Sequence, residues 1–392
     1  MNDASTGARP RMRMRLAGIL GEAARNLATG TSHACAMALT LACVILLCVG
    51  ADLMSITVIQ RQTDDFVASG GSTTVIAAAG HINGAACDRL GSLDGVIAAG
   101  ATRGTGTKLT FAVLPSIGVP VHEATPGAIG IFANSTTTAR DAVRGNGNVA
   151  AFGRSDGNGG VWLSSEAASP IGARNGAHVA LRDNRTMDVA GVFDWPNDGR
   201  SGGYAYAAIA PVPAEENAMF DQCWVKSWPV PDNIDSLLRL VAISGASSTT
   251  ERPTVSQLNT SHGLAFDAAT AFRSRITSWT PLVAGLTALL LGALAIWTRR
   301  LELASALHCG VPKTALTLQV LIETCAWALA SAILCAPSLA WMWLENTDDD
   351  VIVLTDTLLR VPTAAYVGAM AGTLLCVLFI RERSLFRYFK NR

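Results

Sequence analysis

The stretch that decides the fold lies near the beginning of the chain, where residues 34–51 read ACAMALTLACVILLCVGA. A helix that crosses a membrane needs about 20 predominantly apolar residues. The apolar region extends over 33–58, and Asp52 is its only charged residue. A signal peptide has a shorter apolar region that ends at a small-residue cleavage site, and the sequence shows neither feature. We therefore interpret 33–58 as a retained transmembrane helix.

Three more stretches have the same apolar character, and they predict three further transmembrane helices at 276–298, 314–344 and 361–380. The only charge within them is Glu323, for which we expect a structural hydrogen-bonding role. Charged residues make up 15% of the 392-residue chain, against about 25% in ordinary soluble domains. With 30 basic and 30 acidic residues, the chain lacks the positive charge of a nucleic-acid-binding protein. The composition thus indicates a membrane protein that contacts lipid, and it argues against a protein that binds nucleic acid.

The orientation follows from the Lys and Arg residues beside these helices, which concentrate in cytoplasmic loops. The basic residues in the flanks are Arg9, Arg11, Arg13, Arg15 and Arg25 before the first helix, Arg299, Arg300 and Lys313 between the second and third, and Arg381, Arg383, Arg387, Lys390 and Arg392 in the tail. The loop 345–360 is instead acidic. We predict a multi-pass protein of a bacterial cell membrane, with 1–32, 299–313 and 381–392 in the cytoplasm and with 59–275 and 345–360 outside.

The outer segment 59–275 alternates strand-like and helix-like stretches, which predicts an α+β domain inserted between the first and second transmembrane helices. The strand candidates are Ser72–Ala78, Val96–Thr102, Lys108–Leu114, Asn148–Phe152, His178–Arg182, Met187–Phe193, Tyr204–Ala210 and Cys223–Val230. The helix candidates are Asn83–Leu93, Asp232–Ala242 and a stretch from about Phe266 that leads into the second transmembrane helix.

In the cytoplasmic segment 1–32, residues 11–29 have the spacing of an amphipathic helix. Its apolar positions are Leu16, Ile19, Leu20, Ala23, Ala24 and Leu27, which recur at i, i+3 and i+4. One interpretation is a helix lying on the membrane surface. The other is a plain extension of the first transmembrane helix, and both stay open at this point.

The loop after the second helix, residues 299–329, reads RRLELASALHCGVPKTALTLQVLIETCAWAL. Its helical spacing ends at Gly310-Val311-Pro312, and glycine adopts the left-handed conformation at a helix end without steric cost. The loop resembles that of the MacB/FtsX-like permease family of ABC transporters. The matching residues are Arg299, Glu302, Gly310, Lys313, Gln319 and Glu323. The order of one helix, an outer domain and three helices is also similar, as are the outer segments around Gly95-Val96 and Gly191-Val192.

The resemblance implies a permease that transmits motion from a separate ATP-binding subunit through the membrane to the outer domain, for export or extraction of a substrate. It implies that Arg299, Arg300, Glu302, Gly310 and Lys313 form the coupling loop, and that two permease chains, identical or related, act together. Two alternatives stay open: a regulator of an outer cell-wall hydrolase, and a membrane-anchored receptor that has no ATPase.

The sequence contains no common motif for nucleotide binding or metal binding. It has no G-x-x-x-x-G-K-[ST] phosphate loop, so we expect a non-enzymatic chain whose partner hydrolyses ATP. The histidines form no close pair and there is no C-x-x-C, so we expect no metal and no cofactor. Cys87 and Cys223 are the only cysteines in the outer segment. They form either a disulfide or two buried free thiols.

Overall fold

The computed structural model describes residues 15–136, 138, 160–216, 218–243, 252–346 and 351–381. The acidic residues 348–350, the strand candidate Asn148–Phe152, the arginines at 9, 11 and 13 and the tail beyond 381 lie outside the described residues. The chain divides into two compact units. One unit combines Met1–Val58 with Phe272–Arg392, and the other is Ile59–Ala271. We call them the helical unit and the sheet unit.

The helices are α1 (Leu16–Ala28), α2 (Ala34–Ala68), α3 (Gly84–Arg89), α4 (Pro126–Ala133), α5 (Ser165–Ala168), α6 (Ile234–Val241), α7 (Ala268–Ser274), α8 (Thr280–Thr298), α9 (Arg300–His308), α10 (Lys313–Glu345) and α11 (Val351–Phe379), with 3₁₀ turns at Leu90–Ser92, Ser169–Ile171, Gly202–Tyr204 and Ile276–Trp279. The strands are β1 (Thr73–Asn83), β2 (Val96–Phe111), β3 (Leu114–Ala124), β4 (Val161–Ser164), β5 (His178–Ala180), β6 (Thr186–Phe193), β7 (Ala208–Pro211), β8 (Met219–Ser227) and β9 (Thr254–Gln257).

Among the described residues, four helices are long and apolar enough to cross a membrane: α2, α8 with its preceding 3₁₀ turn, α10 and α11. Two of them extend beyond the predicted apolar stretches. Helix α2 continues past 58 to Ala68, and α11 begins at Val351, not 361. The predicted acidic loop 345–360 is therefore much shorter in the structure. Charged residues such as Asp356 and Arg360 show where an apolar stretch stops, but they do not interrupt the backbone hydrogen bonds of a helix.

Helices α8 and α11 cross with their backbones in close contact. A Cβ atom added to Gly368 would lie 2.1 Å from the carbonyl oxygen of Gly285, and one added to Gly372 would lie 2.0 Å from that of Leu289. Small residues spaced four apart allow such an approach between helices in an apolar environment. The spacing Gly368-x-x-x-Gly372 is therefore the sequence signal for this crossing.

Helix α1 is separate from α2. A turn over residues 29–33 divides them, with Gly30 at φ +75° and His33 at φ +48°. Ile19 and Ala23 are buried, whereas Leu16 and Leu20 are exposed. Because the turn breaks the helix, α1 is not a continuous extension of α2. An exposed apolar edge on a helix of this kind fits a position on a membrane surface.

The strands of the sheet unit form one mixed sheet in the order β5-β6-β4-β7-β3-β2-β8-β1-β9. The β3–β7 and β4–β6 pairs are parallel, and the other pairs are antiparallel. The candidates Val96–Thr102 and Lys108–Leu114 belong mainly to a single strand, β2, because the glycines between them accompany a shift in register and not a chain reversal. The sequence prediction also missed β4, β9 and most of β3.

Side chains alternate across this sheet, as the two-residue period of a strand requires. On β8, Trp224 packs in an aromatic cluster that includes Phe132 and Tyr204. Its neighbours Cys223 and Val225 belong to a different apolar cluster that includes residues of α3 and α6. In that cluster, Cys87 of α3 and Cys223 are both fully buried and are joined by a disulfide.

Candidate functional site

The loop between α8 and α10 contains a short helix, α9, whose end is set by Gly310. The amide of Gly310 donates to the carbonyl of Leu307 at 3.1 Å, and the amide of Val311 donates to that of Ala306 at 3.1 Å. Gly310 has φ +91°. These two bonds and a left-handed residue define the Schellman motif. As the sequence predicts, α9 therefore ends at Gly310, and Gly310 adopts the left-handed conformation.

The other end of α9 is held by the guanidinium group of Arg299. Its Nε and Nη2 donate to the carboxylate of Glu302 at 3.1 and 2.8 Å, and its Nη1 donates to Glu323 of α10. The side chains of Arg299 and Glu323 are 7% and 3% exposed, whereas that of Glu302 is 50% exposed. One guanidinium group thus joins a half-exposed carboxylate on α9 to a buried carboxylate on α10.

Glu323 has two further hydrogen-bond partners. The Nδ2 of Asn26 on α1 donates to its Oε1 at 2.7 Å, and the Nε2 of Gln319 donates to the same oxygen at 3.3 Å. Burying a carboxylate is costly unless it is paired and hydrogen-bonded, and this network supplies both. Arg299, Glu302, Glu323, Gln319 and Asn26 together form what we call the Arg299 cluster.

Of this cluster, the role of Asn26 was missed at the level of sequence. The signal is present, since Asn26 follows Ile19 and Ala23 on the buried side of α1. A polar side chain on the buried side of an amphipathic helix needs a hydrogen-bond partner. Only the fold shows that the partner is Glu323.

The remaining residues of the predicted coupling loop lie outside the Arg299 cluster. The Nζ of Lys313 donates to the carbonyl of Leu378 at 2.8 Å, which places a cation at the C-terminal end of α11, where it is favourable to the helix dipole. The guanidinium carbon of Arg300 lies 4.6 Å from the centre of the Trp297 ring. Both cations therefore hold elements of the helical unit.

On α9 itself, Leu303 and Ala304 are buried against residues of α10 and α11. Glu302, Ser305 and Cys309 are exposed. The helix therefore has a packed side and an open side, and the open side carries a carboxylate. The open side is therefore the part of α9 that is available to another protein.

In the sheet unit, Arg200 holds the end of α2. Its side chain is 1% exposed, and its guanidinium group donates to the carbonyls of Ala68 at 2.8 Å and Ser135 at 3.1 Å. It also pairs with Asp198 at 2.6 Å. The last carbonyls of a helix have no partner within the helix, so Arg200 satisfies one of them. The side-chain amide of Asn259 donates to the next carbonyl along the chain, that of Ser69, at 3.1 Å.

A second buried cation, Lys226, lies in the same part of the sheet unit. Its Nζ donates to the carbonyl of Asn134 at 2.8 Å. Burial, together with the nearby charge of Arg200, lowers the pKa of Lys226 to about 8. Desolvation disfavours the charged form of an amine, so this lysine loses its proton near the upper end of the physiological pH range.

The comparisons with known proteins find similarity among solved structures. Neither a protein-family model nor a curated protein matches the sequence. Among solved structures, the chain is similar to the periplasmic region of MacB from Actinobacillus actinomycetemcomitans, with 14% sequence identity and a TM-score of 0.28. The match covers 46% of this chain and 87% of the MacB chain.

Proposed function

We propose that the chain is the permease subunit of an ABC-type transporter that resembles the MacB/FtsX-like family. In this proposal, α2, α8, α10 and α11 cross a bacterial cell membrane, and the sheet unit lies outside. Both termini and α9 lie in the cytoplasm. A separate ATP-binding subunit docks on α9, two permease chains act together, and the resulting motion serves the export or extraction of a substrate.

The observation that carries the proposal is the Arg299 cluster beneath α9. A helix that only connected two membrane spans would need no buried ion pair at the residue that precedes it. Arg299 instead ties α9 to α10 through Glu323, and Glu323 ties α10 to α1 through Asn26. A displacement of α9 by a docked subunit therefore acts on two other helices through charged hydrogen bonds, which are about twice as strong as neutral ones.

The open side of α9 supplies the docking chemistry. Two carboxylates, Glu302 and Glu323, face the single guanidinium group of Arg299, so the cluster carries excess negative charge. Since Glu302 is half-exposed, this charge is available to a basic residue of the partner. Electrostatic complementarity of this kind fixes the register and the rate of association.

Site-specific photo-crosslinking tests the docking. A crosslinker at the exposed Ser305 is expected to capture a subunit whose peptides contain a phosphate loop. The matched control is a crosslinker at Leu290, an exposed apolar residue of α8, which should contact lipid. Capture from Ser305 of no protein, or of a protein with no nucleotide-binding motif, would contradict the proposal. In the reconstituted complex, we expect Glu302→Lys to lower ATP hydrolysis coupled to transport.

Thiol labelling tests the orientation. Cys309 is an exposed free cysteine beside α9. We expect a membrane-impermeant maleimide to label it in inverted membrane vesicles and not in intact cells. A Cys309→Ser variant measures the background from the other cysteines. Labelling of Cys309 in intact cells would reverse the proposed orientation.

A further inference from the structure

Three charged side chains meet where the apolar stretches of three long helices end. Asp52 follows the apolar residues 34–51 of α2, Arg275 directly precedes Ile276, and Arg360 directly precedes Val361 of α11. Asp52 is fully buried. It accepts a hydrogen bond from Nε of Arg275 at 3.1 Å and one from Nη2 of Arg360. All three residues belong to the helical unit.

The cluster has more positive than negative charge. One carboxylate faces two guanidinium groups, so it carries one net positive charge. Asp356, one turn before Arg360 on α11, is exposed, and it forms no ion pair with Arg360 in the described structure. An uncompensated charge among apolar helices is costly, so an anion at this place would be stabilising.

The cluster also leaves hydrogen-bond donors unused. Among the described residues, Nη2 of Arg275 and Nε of Arg360 are buried and have no hydrogen-bond partner, and the same is true of Oγ1 of Thr277, two residues after Arg275 in the chain. Arg275 is fixed in place, because its Nη1 donates to the carbonyl of Phe272 at 2.5 Å and its guanidinium carbon lies 3.8 Å from the centre of the Phe272 ring. Buried donors without a partner are rare in native proteins and indicate a missing acceptor.

The missing acceptor has the chemistry of a phosphate group. Guanidinium groups match the geometry of phosphate oxygens, and two of them with a hydroxyl supply donors for several oxygens of one ligand. The side chain of Arg275 is 4% exposed, whereas that of Arg360 is 25% exposed. Of the two arginines, Arg360 is therefore the more accessible to solvent.

We propose that Arg275, Thr277 and Arg360 form a binding site for the phosphate group of a phospholipid, and that Asp52 holds the two arginines in position. This inference rests on the proposed membrane placement. It commits to a lipid as the source of the phosphate because all three charged residues lie at the boundary between apolar and polar sequence. In a membrane, that boundary is the level of the headgroups.

The test measures lipid binding to the purified full-length chain by native mass spectrometry. The probes are phosphatidylglycerol, diacylglycerol with the same acyl chains, and glycerol phosphate as a competitor without acyl chains. We expect retention of phosphatidylglycerol but not diacylglycerol, and little displacement by glycerol phosphate. Equal retention of diacylglycerol would overturn the phosphate site. Complete displacement by an equimolar amount of glycerol phosphate would overturn the lipid as its source.

Variants assign the binding to this cluster. Arg275→Gln and Arg360→Gln should each weaken phosphatidylglycerol binding about tenfold, the effect of losing a hydrogen bond from a charged donor. Arg239→Gln, which removes an exposed arginine of α6 in the sheet unit, is the matched control and should bind as the wild type does. Thr277→Val leaves both ion pairs of Asp52 intact, so it tests the site even if an arginine variant folds poorly. We expect Thr277→Val to weaken phosphatidylglycerol binding by a smaller factor than the arginine variants do. Unchanged binding in Thr277→Val and in the folded arginine variants would refute the site.

Membrane fractionation separates this test from that of the proposed function. A chain recovered from the soluble fraction would contradict the membrane permease itself. A chain recovered from membranes that shows no phosphate-dependent lipid binding would contradict only the site at Arg275 and Arg360.

Discussion

Asn26 and Glu323 are 297 positions apart in the sequence, and the side-chain amide of Asn26 donates to the carboxylate of Glu323 at 2.7 Å. Both residues are buried. The bond attaches the amphipathic helix α1 to the long helix α10, and Arg299 attaches α9 to the same carboxylate. Glu323 is therefore the point at which three helices are joined.

The first prediction concerns this carboxylate. Glu323→Gln keeps the size of the side chain but leaves Arg299 buried without one of its two anionic partners. We expect it to lower the free energy of unfolding by about 3 kcal/mol, as for other broken buried ion pairs. Asn26→Leu removes one hydrogen bond and should cost about 1 kcal/mol. Denaturant unfolding in detergent measures both. Ser305→Ala on the exposed side of α9 is the control, and a Glu323→Gln value equal to that of the control would contradict the role of the cluster.

A second prediction concerns the end of α9. Gly310 has φ +91°, and a Cβ atom added there meets no other atom within 4 Å. The cost of Gly310→Val is therefore one of backbone conformation alone, about 1–2 kcal/mol. Gly50→Ala is the matched control, because Gly50 also has open space around it but lies in helix α2. The same unfolding measurement compares them, and the prediction is wrong if both variants are as stable as the wild type.

The crossing of α8 and α11 gives a graded prediction. A Cβ atom at Gly372 would lie 2.0 Å from the carbonyl oxygen of Leu289, whereas one at Gly285 would lie 3.3 Å from that of Ala364. We expect Gly372→Ala to force the helices apart and to cost about 1–3 kcal/mol, and Gly285→Ala to cost much less. Thermal unfolding of the two variants checks the order. Equal melting temperatures would mean that the helices do not approach as closely as the structure shows.

The disulfide makes a prediction about covalent structure. Cys87 and Cys223 lie 136 residues apart, so their bridge closes a long loop and should stabilise the sheet unit by about 2–5 kcal/mol. Mass spectrometry of unreduced protein, alkylated and digested, should show one peptide pair linked through these two residues. Recovery of both as alkylated thiols would show that the bridge is absent.

The last prediction concerns pH. The pKa of Lys226 is about 8 in the folded chain, against an ordinary value of 10.5. Between these two values the unfolded chain binds more protons at this lysine, so stability rises with pH there. The gain should be on the order of 3 kcal/mol by pH 10.5, and little of it is present below pH 8. Thermal unfolding of the wild type and of Lys226→Met at pH 7.5 and 9.5 measures it.

The comparison with Lys226→Met is needed because other groups also titrate in this range. We expect the wild type to gain stability relative to the variant as the pH rises. A difference that stays constant between the two pH values would show that Lys226 keeps an ordinary pKa in the folded chain.

Features that depend on neighbouring residues could be predicted from the amino-acid sequence. The four apolar stretches are visible because apolar content is a local property, and the structure has four long apolar helices at these places. The end of α9 at Gly310 follows equally from local backbone sterics. The mixed strand and helix character of residues 59–271 was also predictable from local patterns, although β4 and β9 were missed.

Only the tertiary structure decided which distant residues meet. In the sequence, Asp52 is visible only as the one charged residue of an apolar stretch, whereas in the structure it is fully buried between Arg275 and Arg360. Glu323 was recognised as a structural residue, but its partners Asn26 and Arg299 come from other helices. The strand order, with its two parallel pairs, was likewise absent from the pattern of the strands. The physical reason is that these pairings depend on how separate helices and strands pack in space, and the periodicity of one segment contains no information about the position of another.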